Sequence, residues 1–146
     1  MLALQTHNIQ KTSGNTQVIK LPLFIGNWRH DRRDGEGKMK FHSGNAFEGV
    51  WKNDEMHNGV LTLKTGDIYT GFFKNNKFHG KGSFHYQGGS TFTGNFTDGE
   101  LDKHGQILFK DGSQFEGIII NFEIGEFGIM HYANKDIYEG EFIDQK

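Results

Sequence analysis

The chain has 146 residues, with 21 Gly, one Pro, no Cys, 14% aromatic residues and a net charge of −2. Glycine runs at about twice its usual share of roughly 7%. Collagen is excluded because it needs Gly and Pro together in a three-residue period, and a flexible linker because linkers do not carry this many rings. Without Cys there are no disulfides, thiolate nucleophiles or Cys-ligated zinc, and the slightly negative charge supplies no global field for nucleic acid. The start, Met1 to His7, lacks the basic and apolar regions of a signal peptide, and the longest aliphatic run is Ile118-Ile119-Ile120. A bilayer span needs about 20 apolar residues, so a cytoplasmic chain is expected. The sequon Asn95-Phe96-Thr97 is then a chance occurrence.

In chain order, residues 1–13 are polar and expected to be loose. Gly14 stands 23 residues before Gly37, with Thr16 and Val18 following at alternate positions. Residues 14–23 are therefore expected to form a degenerate half-repeat and the first edge strand, where Pro22 is tolerated because no ladder donor is required. From residue 24 a repeat takes over. Phe24, Phe47, Tyr69, Phe92, Phe115 and Tyr138 are spaced by 22 or 23 residues. Two residues after each comes Gly26, Gly49, Gly71, Gly94, Gly117 or Gly140, and two further on Trp28, Trp51, Phe73, Phe96, Ile119 or Phe142. The units are 24–46, 47–68, 69–91, 92–114 and 115–137, with a partial sixth at 138–146.

The second half of each unit repeats as well. Gly37, Gly59, Gly82, Gly105 and Gly128 each precede two apolar residues at alternate positions, such as Met39 and Phe41 or Phe84 and Tyr86. Both halves have the period of two that marks a strand. Turn signals separate them, including Ser43-Gly44-Asn45, Thr65-Gly66-Asp67 and Asp111-Gly112-Ser113, with Lys135 replacing the turn Gly in the last full unit. Each unit is thus one β-hairpin. The second unit lacks one residue between Trp51 and Gly59, expected to be lost from a loop. Glycine inside a strand weakens it, so these glycines are expected to make room for rings, each unit's rings packing over the glycine of the next. The fold class is all-β: an elongated, twisted antiparallel meander of tandem hairpins forming a single-layer open sheet of eleven strands.

The third unit, Tyr69-Thr70-Gly71-Phe72-Phe73 through Phe78-His79-Gly80-Lys81-Gly82, resembles the MORN (membrane occupation and recognition nexus) repeat. That consensus is roughly Tyr-x-Gly-x-Trp-x-x-Gly-x-x-His-Gly-x-Gly. The first unit has Asp34 in the place of the His, the second is shortened at His57-Asn58-Gly59, the fourth has His104 displaced, and the fifth lacks the His. The resemblance extends over residues 24–146. Such repeats occur in membrane-contact proteins, lipid kinases, ciliary radial spokes and cytoskeletal scaffolds. In the enzymes among these, catalysis lies in a separate domain, so the resemblance implies a non-enzymatic scaffold in a cytoskeletal or ciliary assembly.

The residues themselves name no catalytic, cofactor or metal site. His57, His79 and His104 recur on successive hairpins, two strand spacings or about 10 Å apart, too far for ligands that must each lie about 2 Å from one ion. Gly35-Glu36-Gly37-Lys38 and Gly80-Lys81-Gly82-Ser83 lack the spacing and helix of a phosphate loop. Glu48, Glu116, Glu139 and Glu141 flank the repeat glycines and read as a solvated strand face. The ring stripe, with Trp28, Trp51, Phe73 and Phe96, is expected to line a groove for a partner helix or extended peptide. A second candidate is a basic patch of Arg29, Arg32, Arg33 and Lys77 that meets anionic lipid headgroups such as phosphoinositides. The open strand 138–142 is a candidate for pairing with a second copy or a neighbouring subunit.

Overall fold

The computed structural model of the chain describes residues 2–6, 9–11, 17–19 and 22–143. The strands in chain order are β1 (Leu2–Thr6), β2 (Ile9–Lys11), β3 (Gln17–Ile19), β4 (Leu23–Arg29), β5 (Arg32–Lys40), β6 (Ala46–Lys52) and β7 (Glu55–Thr62), followed by β8 (Ile68–Lys74), β9 (Lys77–His85), β10 (Thr91–Thr97), β11 (Glu100–Leu108), β12 (Gln114–Ile120), β13 (Glu123–His131) and β14 (Ile137–Glu141). The eleven repeat strands, β4 to β14, form one open antiparallel sheet in which every neighbour in space is a neighbour in sequence. No helix occurs among the described residues.

The start of the chain departs from expectation. The strand beside β4 is β1, with Ala3 opposite Gly26. Gln17–Ile19 instead pair with Ile9–Lys11 in a separate two-stranded ribbon. Residues 14–16 and 20–21 of the expected half-repeat, and residues 1, 7, 8, 12 and 13 of the segment expected to be loose, lie outside the described residues. Leu2 and Leu4 give the first segment the apolar alternation of a strand, a period that a mostly polar composition had masked.

Two kinds of turn build the meander. Within each unit the strands join through two left-handed residues: His30 and Asp31, Asn53 and Asp54, Asn75 and Asn76, Asp98 and Gly99, Asn121 and Phe122. Paired positive φ angles make the tight hairpin turn whose twist matches the strands, and Asn and Asp tolerate them best. The shortened second unit keeps this turn, so its missing residue does not come from a loop. Strand β7 has eight residues where β5 and β9 have nine. Beyond the paired glycines of the first unit the register slips until Trp28 faces Arg33, whereas in the second unit Val50 still faces Asn58 and Trp51 faces Met56. A bulge holds residues outside the ladder, so it loses one without turning the strand over.

Between units, five-residue connections close on themselves, as in Leu63 N–H to Asp67 O at 2.8 Å and Gly66 N–H to Leu63 O at 2.9 Å. Lys135 adopts φ 76° where the other units use glycine. These turns are clipped to one another. Asn45 Oδ1 accepts from Lys64 N–H at 2.9 Å, Asp67 Oδ1 from Gln87 N–H at 2.9 Å, and Ser113 Oγ from Ala133 N–H at 3.3 Å.

The core is a zigzag of edge-to-face rings. Phe24 meets Trp28 at 5.3 Å and Trp51 at 5.2 Å; Phe47 meets Trp51 and Phe73 at 5.3 Å; Tyr69 meets Phe73 at 5.1 Å and Phe96 at 5.2 Å. Each of these three first rings therefore touches the second ring of its own unit and that of the next. Such contacts are worth about 0.5–1.5 kcal/mol each beyond the area they bury. The glycines accommodate the rings differently from the expected arrangement, because Phe24, Phe47, Tyr69 and Phe115 cover the glycine pairs of their own units, whereas in the fourth unit Leu101 lies over Gly94. A Cβ built on Gly71 would stand 2.6 Å from Gly82 Cα and 2.8 Å from the Tyr69 hydroxyl. Ring and glycine are two residues apart on one strand face, and strand side chains lean along the strand, which brings the ring over its own glycine. In the fifth unit Ile119 replaces the second ring. There Phe122, held at φ 60° in the turn, stands edge-on to Phe92 at 5.2 Å and restores a ring contact.

Candidate functional site

The expected aromatic groove is not present. Trp51, Phe73 and Phe96 are 2%, 5% and 1% exposed and belong to the core. Edge-to-face contacts between neighbouring units close the stripe without a second layer. Trp28 packs against this core partly buried, and its indole Nε1 is buried without a hydrogen-bond partner. The Trp51 indole, by contrast, donates to Gly37 O at 3.3 Å. The Tyr69 hydroxyl donates to Phe72 O at 2.8 Å, and burial pushes its pKa up to about 12.

The basic residues separate into different roles. Arg33 is part of the folded framework. Its Nε contacts Asp54 Oδ1 at 2.7 Å, its Nη2 donates to Asp54 O at 3.1 Å, and its guanidinium lies 4.6 Å from the Trp51 ring centre. Desolvation alone would raise the Asp54 carboxyl, but the Arg33 hydrogen bonds and the Arg33 and Arg32 charges outweigh it and hold the group below its ordinary value. Arg33 is thus withdrawn from any headgroup site, because strand pairing sets it beside the next unit's turn. Arg29 and Arg32 are exposed and face each other at the end of the β4–β5 hairpin. Lys77 is exposed opposite Lys74 at the end of β8–β9, four strand spacings or about 19 Å away. The histidines also take separate places. The His57 ring meets Phe72 at 6.0 Å, His79 Nδ1 is buried without a partner, and His104 lies on the outer face. No group of three His, Asp or Glu able to hold a metal ion occurs among the described residues.

Two hollows lie on the face opposite the rings. A shallow trough of about 800 Å³ follows the glycine line across β9 to β14. Its floor is Gly82, Gly94, Gly105, Gly117 and Gly128, and its apolar walls are Ile118, Phe127 and Ile129. Lys81 and His104 supply basic groups along it, Glu116 and Glu139 acidic ones. Phe127 is 48% exposed. A smaller hollow of about 570 Å³ lies on the same line at β4 to β6, between Ile25 and Val50, with Glu36, Lys38 and Glu48 around it. Repeat periodicity drew attention to the ring positions and left these flanking positions as solvated surface. The available signal was the appearance of Phe72, Ile118, Phe127 and Ile129 where an outward face should be polar.

Residues 24–46, 47–68 and 69–91 each match the family model described as the MORN repeat. The matched units carry the hairpins β4–β5, β6–β7 and β8–β9. MORN repeats are non-enzymatic modules of protein and membrane interaction. With three consecutive units matched and the hairpin meander that such units build, residues 24–91 of this chain are MORN repeats.

Proposed function

We propose that this chain is a non-catalytic scaffold whose outer trough holds a segment of a partner protein. The observation that carries this reading is the trough itself, which combines a floor without side chains, apolar walls made by the exposed Phe127 and the half-buried Ile118 and Ile129, and charges of both signs along its length. An extended peptide or helix can approach a glycine floor closely, bury apolar side chains against the walls and be oriented by the charges. On this reading the scaffold works in the cytoplasm, within a cytoskeletal or ciliary assembly, a setting taken by analogy from other proteins with MORN repeats.

The test is affinity capture from native extract with the parent chain and with Phe127→Ser/Ile129→Ser. Loss of specific partners, with an unchanged melting temperature, is the expected result. Retention of every partner by the double variant would refute the reading. A second reading, contact with anionic lipid, is favoured by the exposed pair Arg29 and Arg32, and by Lys77 on a second hairpin end. Flotation with vesicles containing phosphoinositide should then fall on Arg29→Ala/Arg32→Ala, and flotation that ignores anionic lipid removes this reading.

A further inference from the structure

The charges along the trough are sorted by sign. Lys81 on β9 and His104 on β11 stand toward one end of it, Glu116 on β12 and Glu139 on β14 toward the other. All four are exposed, and none forms an ion pair among the described residues. Their partners across the sheet carry no opposite charge. Lys81 faces Asn95, His104 faces Ile118, Glu116 faces Gln106 and Ile129, and Glu139 faces Ile129. The hollow at β4 to β6 differs, because its Lys38 reaches its own Glu48 at 3.4 Å. The trough therefore keeps two uncompensated patches of opposite sign, with the apolar walls Ile118, Phe127 and Ile129 beside the acidic one.

The floor selects the backbone conformation of an occupant. Gly82, Gly94, Gly105, Gly117 and Gly128 face one another in one row across the strands. Their N–H and C=O groups lie in the sheet and point at neighbouring strands, so a segment lying on the floor finds no backbone partner there. An extended segment would leave its own polar groups covered and unpaired, which is costly. An α-helix pairs them internally, and its period fits the array. One repeat unit advances the trough by two strand spacings, about 9.6 Å, and seven helical residues advance about 10.5 Å. A heptad pattern thus presents one face to successive units. From Lys81 to Glu139 there are five strand spacings, about 24 Å or roughly 16 residues of helix.

We propose that the trough holds one amphipathic α-helix of the partner, laid across the strands, with acidic residues in its N-terminal half over Lys81 and His104 and basic residues in its C-terminal half over Glu116 and Glu139. The proposal rests on the trough reading above and names the occupant. Apolar residues at heptad spacing in the C-terminal half cover Ile118, Phe127 and Ile129. The direction follows from the helix itself, because acidic residues are favoured in its first turn and basic residues in its last. The apolar wall supplies affinity, and the two charged patches set orientation. A helix with its charges in the opposite order must run the other way along the trough.

The probe is a synthetic Ala-based peptide of about 20 residues, with Glu in its first two turns, Leu at heptad spacing in its second half, Lys in its last two turns and a nitroxide at its N-terminus. Titrated into the full chain, it should gain helical dichroism and broaden the amide signals of residues 81–83 and 104–106 while sparing 137–140. A second peptide with Glu and Lys exchanged should bind reversed, so that its nitroxide broadens 137–140 instead. Lys81→Glu should weaken binding of the first peptide about five-fold, and Lys38→Glu should leave it unchanged. Near-UV dichroism verifies that both variants are folded. The proposal is overturned if the bound peptide gains no helicity, which identifies an extended occupant. It is overturned equally if both nitroxides broaden the same end, or if Lys81→Glu and Lys38→Glu act alike. A dimer in sedimentation that Phe127→Ser/Ile129→Ser disperses would overturn it by seating a second copy in the trough. No binding at millimolar peptide, with native partners still lost from Phe127→Ser/Ile129→Ser, overturns the helix and leaves the trough reading standing. Retention of every partner by that variant removes both.

Discussion

Replacing Gly71 with Ala tests the structural role assigned to the glycine line. The new Cβ would stand 2.6 Å from Gly82 Cα, 2.6 Å from Lys81 O and 2.8 Å from the Tyr69 hydroxyl, at φ +156°. Two of these three atoms are backbone, so no rotamer change relieves the contact. Overpacking costs about 1–3 kcal/mol, and an L-residue held at unfavourable positive φ adds about 1–2 kcal/mol, giving roughly 2–5 kcal/mol in all. At about 3 °C per kcal/mol for a chain of this size, the melting temperature should fall by roughly 6–15 °C. The reference substitution is Gly88→Ala. No atom lies within 4 Å of its Cβ position, and its φ is not positive. It should be neutral or stabilise by up to about 1 kcal/mol through the unfolded chain. Chemical denaturation of both variants, monitored by far-UV dichroism and tryptophan fluorescence, gives the comparison. Equal effects would show that glycine is required for composition or turn formation rather than for backbone approach and ring packing.

Three further outcomes follow from named contacts. Asp54→Asn should lower stability by up to about 1 kcal/mol at neutral pH, the usual size for an exposed ion pair. Because the Asp54 carboxyl is held below its ordinary value, its contribution is present above the unfolded pKa near 3.9 and is lost as pH falls through the folded value. Melting curves of parent and variant should therefore converge toward pH 3, and a constant gap would refute the pairing with Arg33. Phe122→Gly should destabilise although it relieves a bulky residue at φ 60°, because the ring that meets Phe92 at 5.2 Å is lost; a gain in melting temperature would show that the ring contributes less than the strain. Tyr69 has its pKa raised to about 12, so its contribution is full below the unfolded pKa near 10 and is lost as pH rises toward 12, with an upper bound of about 3 kcal/mol. Denaturation from pH 9 to 12 should show a steeper loss in the parent chain than in Tyr69→Phe, which keeps only the smaller slope of Tyr86, also raised by burial.

The hairpin, its period and the ring positions were legible in the sequence because they are local. A ring at one position, Gly two residues on and a second ring two further state a strand face directly. What lies across the sheet was not legible. The ring stripe suggests a groove through Trp51, Phe73 and Phe96 because the sequence carries no sign of edge-to-face closure between neighbouring units. Arg33 was grouped with Arg29 and Arg32 by proximity in the chain, whereas strand pairing separates them. Arg32 faces Arg29, and Arg33 reaches Asp54 of the next unit. The lost residue of the second unit was assigned to a loop on general grounds. Bulges absorb length as well as loops do, and they leave no mark in composition.

Stability and the proposed recognition share the glycine line but use opposite sides of it. On the inner side Gly71, Gly82 and their counterparts in the first, second and fifth units admit the first ring of the unit, and filling that space collides with backbone or ring. On the outer side Gly82, Gly94, Gly105, Gly117 and Gly128 form the trough floor, between flanking residues that point away from the core. The alternation of strand side chains separates the two roles residue by residue. A substitution at a floor glycine must therefore perturb core and trough together. One at Ile118 or Phe127 should stay within about 0.5 kcal/mol in stability while changing what the trough accepts. A repeat array that keeps its rings and glycines is in this way free to vary the flanking positions and so its partners. In this chain the trough's apolar wall residues, Ile118, Phe127 and Ile129, all lie on β12 and β13 of the fifth unit. Partner selectivity should accordingly follow substitutions in that unit more closely than the same substitutions at Ile25 or Val50 in the first two.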